Sequence, residues 1–109
     1  MELLVDKEAA IDELGIEMED YLELCGELKD FIDSTLPRIE EVIQSGELKK
    51  LEDIAHSLKG ALKNLRFIQG GSLAEQLEKI GAGVIQGDSG EILGQLKTVL
   101  ADSVKELNL

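Results

Sequence analysis

The sequence has no tryptophan, one tyrosine, two phenylalanines, one cysteine, one proline and one histidine in 109 residues. So few aromatics and β-branched clusters argue against a chain built mainly of strands, while the abundant Leu, Glu, Lys and Ala favour helix. The lone Cys25 cannot form an internal disulfide, and no basic segment followed by an apolar stretch marks a secreted chain. A reducing, cytoplasmic setting is therefore the expectation. One histidine and one cysteine cannot build a zinc site, and the carboxylates lack calcium-loop spacing, so no intrinsic metal or cofactor is expected. The longest apolar runs, such as Leu3 to Val5, fall far short of the roughly 18 residues of a membrane span. Basic side chains are scarce too. Eleven Lys and Arg face 23 Asp and Glu, and the resulting charge of −12 repels nucleic acid and anionic lipid alike.

What is present is the composition of an ordinary folded domain, 43% apolar and 31% charged, short enough for one core and no second domain. Residues 1–109 read as a single all-α domain without repeats or linkers. A short first helix starts after the N-cap residue Asp6 and stops at Gly15. A long amphipathic segment follows from about Met18 to Ser45. Its apolar residues Tyr21, Leu24, Cys25, Leu28, Phe31, Ile32, Leu36, Ile39, Val42 and Ile43 stay in phase across Pro37, so a bend rather than a break is predicted. Cys25 lies on this stripe and reads as an inert, buried thiol. A third helix spans about Glu47 to Phe67, with Leu48, Leu51, Ile54, Ala55, Leu58, Leu62 and Leu65 facing the core. Gln69, Gly70 and Gly71 read as a loop, and Ser72 with Glu75 as a capping box that opens a fourth helix, frayed by Gly81, Gly83 and Gly87. Asp88 and Glu91 repeat that pattern before a last helix through Ile92, Leu96, Leu100 and Leu107. Four long helices with short connections predict an antiparallel four-helix bundle with a short additional N-terminal helix.

The single histidine lies on the wet side of this scaffold. At 100° per residue His56 points roughly 160° away from Leu58 and about 180° from Leu65. Lys49, Glu52, Asp53, Lys59, Gly60 and Lys63 share its face. Residues 1–46 hold three basic against fourteen acidic side chains and residues 67–109 three against six, but residues 47–66 hold five against three. The histidine helix is thus a basic island on an acidic protein. A neutral imidazole is a competent nucleophile near pH 7, and nearby ammonium groups are placed to neutralise an incoming phosphoryl group. Lys59, one turn on, is best placed. Gly60 costs roughly 1 kcal/mol in a helix interior relative to alanine, which suggests that a side chain there would obstruct access to the imidazole.

The run Ala55-His56-Ser57-Leu58-Lys59-Gly60 resembles the signature of the histidine phosphotransfer (HPt) family, His-x-x-Lys-Gly on a bundle helix. The likeness extends from about Leu14 to about Leu107: a short first helix, a long second helix with a mid-helix proline, a Gly-acidic-Leu opening at Gly46-Glu47-Leu48, and two further amphipathic helices. The resemblance implies a covalent phosphocarrier of a two-component phosphorelay, not an enzyme in the conventional sense. His56 would take a phosphoryl group from a receiver-domain aspartate or a sensor or hybrid histidine kinase and pass it to a response-regulator aspartate. It implies phosphate stabilisation by Lys59, steric clearance at Gly60, and Mg²⁺ on the partner receiver rather than here. In the family a polar residue of the adjacent helix often bonds the active imidazole; Glu75, Gln76 and Glu78 are the candidates. Lys63 and Arg66 depart from the small residues and glycine of many family members, and with Lys49 they are the expected partner contacts. A monomer is expected, and the initial methionine fits a free-standing protein. The alternative is a phosphorylation-incompetent adaptor bundle that binds receiver or kinase domains.

Overall fold

The computed structural model describes residues 2–109. Its helices are α1 (Lys7–Leu14), α2 (Met18–Ser45), α3 (Leu48–Asn64), α4 (Ile68–Gly81) and α5 (Ser89–Glu106). The fold is all-helical, and the four long helices form the expected bundle, 41 Å along its major axis. Each long helix packs on two neighbours, α2 on α3 and α5, and α4 on α3 and α5, while α1 rests on α2. No helix among the described residues is long and apolar enough to cross a membrane.

A seam of alternating three- and four-residue steps explains this packing. In α2 the buried residues are Tyr21, Cys25, Leu28, Ile32, Thr35, Ile39 and Val42. In α3 they are Leu51, Ala55, Leu58 and Leu62, and in α5 Leu93, Leu96, Leu100 and Ser103. That spacing keeps one stripe of each helix facing its neighbours over its full length, as in bundles with interlocking side chains. α2 runs unbroken through Pro37, which lies on its exposed side, where water can satisfy the carbonyl the ring leaves free. Gly46, with φ 73°, ends α2. Its N–H reaches Ile43 O and the Glu47 N–H reaches Val42 O, satisfying two carbonyls that the helix end leaves open. Asp6 and Asp88 cap α1 and α5 by accepting from the Ala9 and Glu91 amides at 3.2 and 3.1 Å. Tyr21 is fully buried and donates its hydroxyl to Leu65 O at 2.7 Å, tying the start of α2 to the end of α3. Burial pushes the phenol and the neighbouring Cys25 thiol up from their ordinary values, so Cys25 is a buried, unreactive residue.

The largest departure from the sequence reading is the α3–α4 corner. α3 stops at Asn64, not Phe67, and α4 begins at Ile68, so Gln69, Gly70 and Gly71 are helical and Ser72 is an exposed interior residue rather than a cap. Phe67, fully buried, anchors the corner. The N-terminal segment crosses it: Asp6 N donates to Arg66 O and Ile68 N to Leu4 O, with Val5 bridged to Phe67. Leu4 thus satisfies one of the open amides at the start of α4, which needs no capping side chain for it. Gly70 and Gly71 are buried because α4 passes close to its neighbours; a Cβ on Gly70 would lie 2.6 Å from Leu100 Cδ2 and one on Gly71 2.9 Å from Lys63 Cγ. Two residues read into apolar stripes, Leu24 and Leu48, are instead exposed. Leu48, the first residue of α3, extends past the bundle end at 54% exposure.

Candidate functional site

The site is built on the outer face of α3, where it crosses α4. Ala55 and Leu58 have no exposed surface, and their burial turns His56 outward, leaving its side chain 66% exposed. The ring is nonetheless held. Its Nδ1 lies 2.5 Å from Oε2 of Glu78 on α4, and the other oxygen of that carboxylate accepts from Lys59 Nζ at 2.6 Å. One acidic residue therefore bridges the two candidate groups of α3.

Gly81 sets the reach of this bridge. A Cβ there would come within 2.5 Å of Glu52 N and 2.8 Å of Leu48 O, both backbone atoms of α3, so only a glycine lets the helices approach this closely. The helices run antiparallel, and Glu78, one turn before Gly81, falls opposite His56 and Lys59. Another turn back, Glu75 meets Lys63 at 3.1 Å. Of the three candidates Glu75, Gln76 and Glu78, this register selects Glu78 for the imidazole.

Electrostatics then fix the ring's hydrogen-bonding state. Lys59 first, and His56 second, hold the Glu78 carboxyl below its ordinary range against the opposing effect of burial, so it is ionised near neutral pH and can only accept. A proton on the ring is therefore held at Nδ1, which leaves Nε2, with no partner within the chain's described residues, as the nitrogen available to an incoming group. Lys59 spends one of its three donors on Glu78 and keeps two for an anion over the ring. Gly60 faces open space, with nothing within 4 Å of a Cβ placed on it. Among the described residues, no packing requires glycine there.

The remaining candidates are spread along the same helix and beyond. Lys49 lies two turns before His56, exposed and paired with Glu52 and Asp53 at 3.2 and 3.1 Å. Lys63 lies two turns after it and leans toward α4. Arg66 lies past the end of α3 with φ 62° and pairs with Glu13 of α1, so its charge is spent at the corner rather than beside His56. Sequence spacing placed Lys59 and Gly60 correctly on the histidine face. It gave no sign of the Arg66–Glu13 pair, whose members are 53 positions apart.

The geometry at this point is that of an exposed, oriented imidazole with an adjacent ammonium group and a cleared approach. Comparison with the curated proteins and with the solved structures gives no significant match. The family model described as Hpt domain matches residues 18–108, from the first residue of α2 to just past the end of α5. With that match over most of its length, the chain belongs to the Hpt family, whose domains carry out histidine phosphotransfer in phosphorelays.

Proposed function

We propose that His56 is the phosphoacceptor of a phosphorelay carrier. The observation that carries this reading is an exposed imidazole whose Nδ1 is held by Glu78, so that Nε2 is the nitrogen left for attack. The Nε2 lone pair attacks the phosphorus of an aspartyl phosphate on a receiver domain, or of a nucleotide bound by a sensor or hybrid kinase. The bond from phosphorus to the leaving oxygen breaks, and its electron pair leaves with the carboxylate or the nucleotide diphosphate. The positive charge that develops on the ring is offset by Glu78, while the two remaining Lys59 donors meet the phosphoryl oxygens. Discharge reverses the step: a response-regulator aspartate attacks phosphorus and the N–P electron pair returns to Nε2. Mg²⁺ in this scheme belongs to the receiver, where it offsets charge on the transferring group. The chain acts only with such a partner, as a monomeric carrier in the cytoplasm. Docking uses the exposed faces of α2 and α3, with Lys49 and Lys63 flanking His56.

The direct test is to label the protein with phosphoramidate and chase it with receiver domains. An acid-labile, alkali-stable phosphoprotein that discharges onto a receiver is expected. A folded protein that takes no label would leave the bundle as a binding adaptor and defeat the proposal.

Two substitutions probe the parts. Gly60→Ala adds a methyl group in open space on a helix, so it should stabilise the fold by roughly 0.5–1 kcal/mol while slowing transfer to a receiver. Gly94→Ala on α5 is the control, since Gly94 also faces open space; it should stabilise without slowing transfer. Equal transfer rates for the two variants would remove the clearance role of Gly60.

Glu78→Gln keeps an acceptor for Nδ1 but loses the charge that Lys59 and the developing imidazolium use. Transfer should slow about tenfold, equivalent to about 1.4 kcal/mol in the barrier. The pH dependence of stability carries the opposite test of the same group. Because the folded Glu78 carboxyl is depressed, its contribution is fully present above the ordinary glutamate value of about 4.3 and fades as pH falls through the folded value. The difference in melting temperature between wild type and Glu78→Gln should therefore shrink as pH falls below about 4.3.

A further inference from the structure

A groove of about 560 Å³ runs between α4 and α5. It lies at the back of the bundle, because α5 packs on α2 and α4 and stands diagonally across from α3, which carries His56. Its apolar floor is formed by the half-buried Leu73 and Val99. Of the eight residues that line it, Glu2 alone is charged. The groove between α2 and α5 carries four charged residues, Lys29, Asp33, Lys97 and Lys105, so neutrality is not the general condition on this chain of net −12.

The polar part of the lining is Gln69, Ser72, Gln95 and Thr98, and each of these side chains both donates and accepts hydrogen bonds. That property bears on what fits here. In a two-fold pair the same patch faces itself. Charged side chains then meet their own sign, whereas amides and hydroxyls can pair with one another. Two chains of charge −12 repel through their acidic faces, and a neutral groove removes the local part of that repulsion.

The matching projection belongs to the same chain. Leu3, next to the lining residue Glu2, is 56% exposed. The strap that carries it is tied to the groove, since Glu2 O accepts from Gln69 Nε2 at 2.7 Å. An exposed leucine beside an open groove with an apolar floor supplies both halves of one contact. Gly94 adds room for it: a Cβ there meets nothing within 4 Å, so packing among the described residues does not call for glycine in the interior of α5, where it is unfavourable.

We infer that this back face joins two copies of the chain in a weak, reversible two-fold dimer, with Leu3 of each copy seated in the α4–α5 groove of the other. The pairing is independent of the phosphocarrier reading. His56 of each copy stays on the outside, and one chain remains the unit that carries the phosphoryl group.

The test is sedimentation of the full chain from about 10 µM to about 1 mM, a range that covers weak association. Wild type should pass from monomer to dimer across it. Leu3→Ser removes the projection and Gln95→Glu puts a charge in the groove, so each should raise the dissociation constant about tenfold or more. Both positions are exposed, and the melting curves at low concentration should match wild type. In each variant both contacts of the pair are damaged, but a mixture of the two can form a pair with one contact intact, Leu3 of the Gln95→Glu chain in the groove of the Leu3→Ser chain. The mixture should therefore associate more strongly than either variant alone. A wild type that stays monomeric to 1 mM would overturn the pairing and leave the groove to a different chain or a small ligand. Wild-type association in both variants, or a mixture no stronger than its components, would overturn the seating of Leu3 in the groove.

Discussion

His56→Gln is expected to abolish phosphorylation by phosphoramidate and all transfer to receivers while leaving the melting curve almost unchanged. The two halves of that result follow from one geometry. The His56 side chain is 66% exposed and its only polar partner among the described residues is Glu78, so little of the core depends on it; surface changes of this kind usually stay within about 0.5 kcal/mol. Glutamine preserves size and an acceptor but has no nitrogen lone pair available for attack, since amide resonance delocalises it. No second histidine exists in the sequence to take over. Loss of label should therefore be complete, below a thousandth of the wild-type rate. Label retained in His56→Gln at alkali-stable positions would show that the phosphoryl group goes elsewhere.

Gly81→Ala is expected to have the largest effect on stability of any single-methyl addition away from the α3–α4 corner. The added carbon would meet Glu52 N at 2.5 Å, Leu48 O at 2.8 Å and Glu52 Cα at 2.9 Å. All three are helix backbone, which cannot rotate aside as the Leu100 side chain could beside Gly70. Relief requires α4 to move off α3, and overpacking of this kind lies at the upper end of its usual range, about 3 kcal/mol. For a domain of this size that lowers the melting temperature by roughly 10–20 °C. The same displacement draws Glu78 away from His56 and Lys59, so transfer should fall in whatever fraction remains folded. Gly94→Ala, the matched addition in open space, should go the other way. A Gly81→Ala protein as stable as wild type would show that the crossing is looser than these distances state.

The bundle was legible in the sequence because each long helix carries an unbroken three-four seam, and the wet face of α3 followed from the phase of His56 against Leu51, Leu58 and Leu65. Caps at Asp6 and Asp88 and stops at Gly15 and Gly46 followed from local chemistry, and the continuity of α2 through Pro37 from the phase of its apolar stripe. The α3–α4 corner was not legible. Gly70-Gly71 signals either a turn or a close helix crossing, and only the position of Leu100 and Lys63 across the gap decides between them. The strap formed by Leu4 to Asp6 is likewise non-local, a backbone contact with no side-chain signature. At the site, the residues of α3 were readable because one helix orders them. Glu78 could be narrowed to three candidates but not chosen, since the choice depends on interhelical register set by Gly81.

The most direct measurement of the central claim is the heteronuclear NMR spectrum of the phosphorylated protein, labelled with ¹⁵N on the imidazole. Coupling of phosphorus to Nε2 of His56, with Nδ1 still protonated and its proton shifted downfield by Glu78, is the predicted result. Coupling to Nδ1 instead, or a phosphoryl group on any other residue, would contradict the account, because the bond to Glu78 and the nucleophilic nitrogen would then be wrongly assigned.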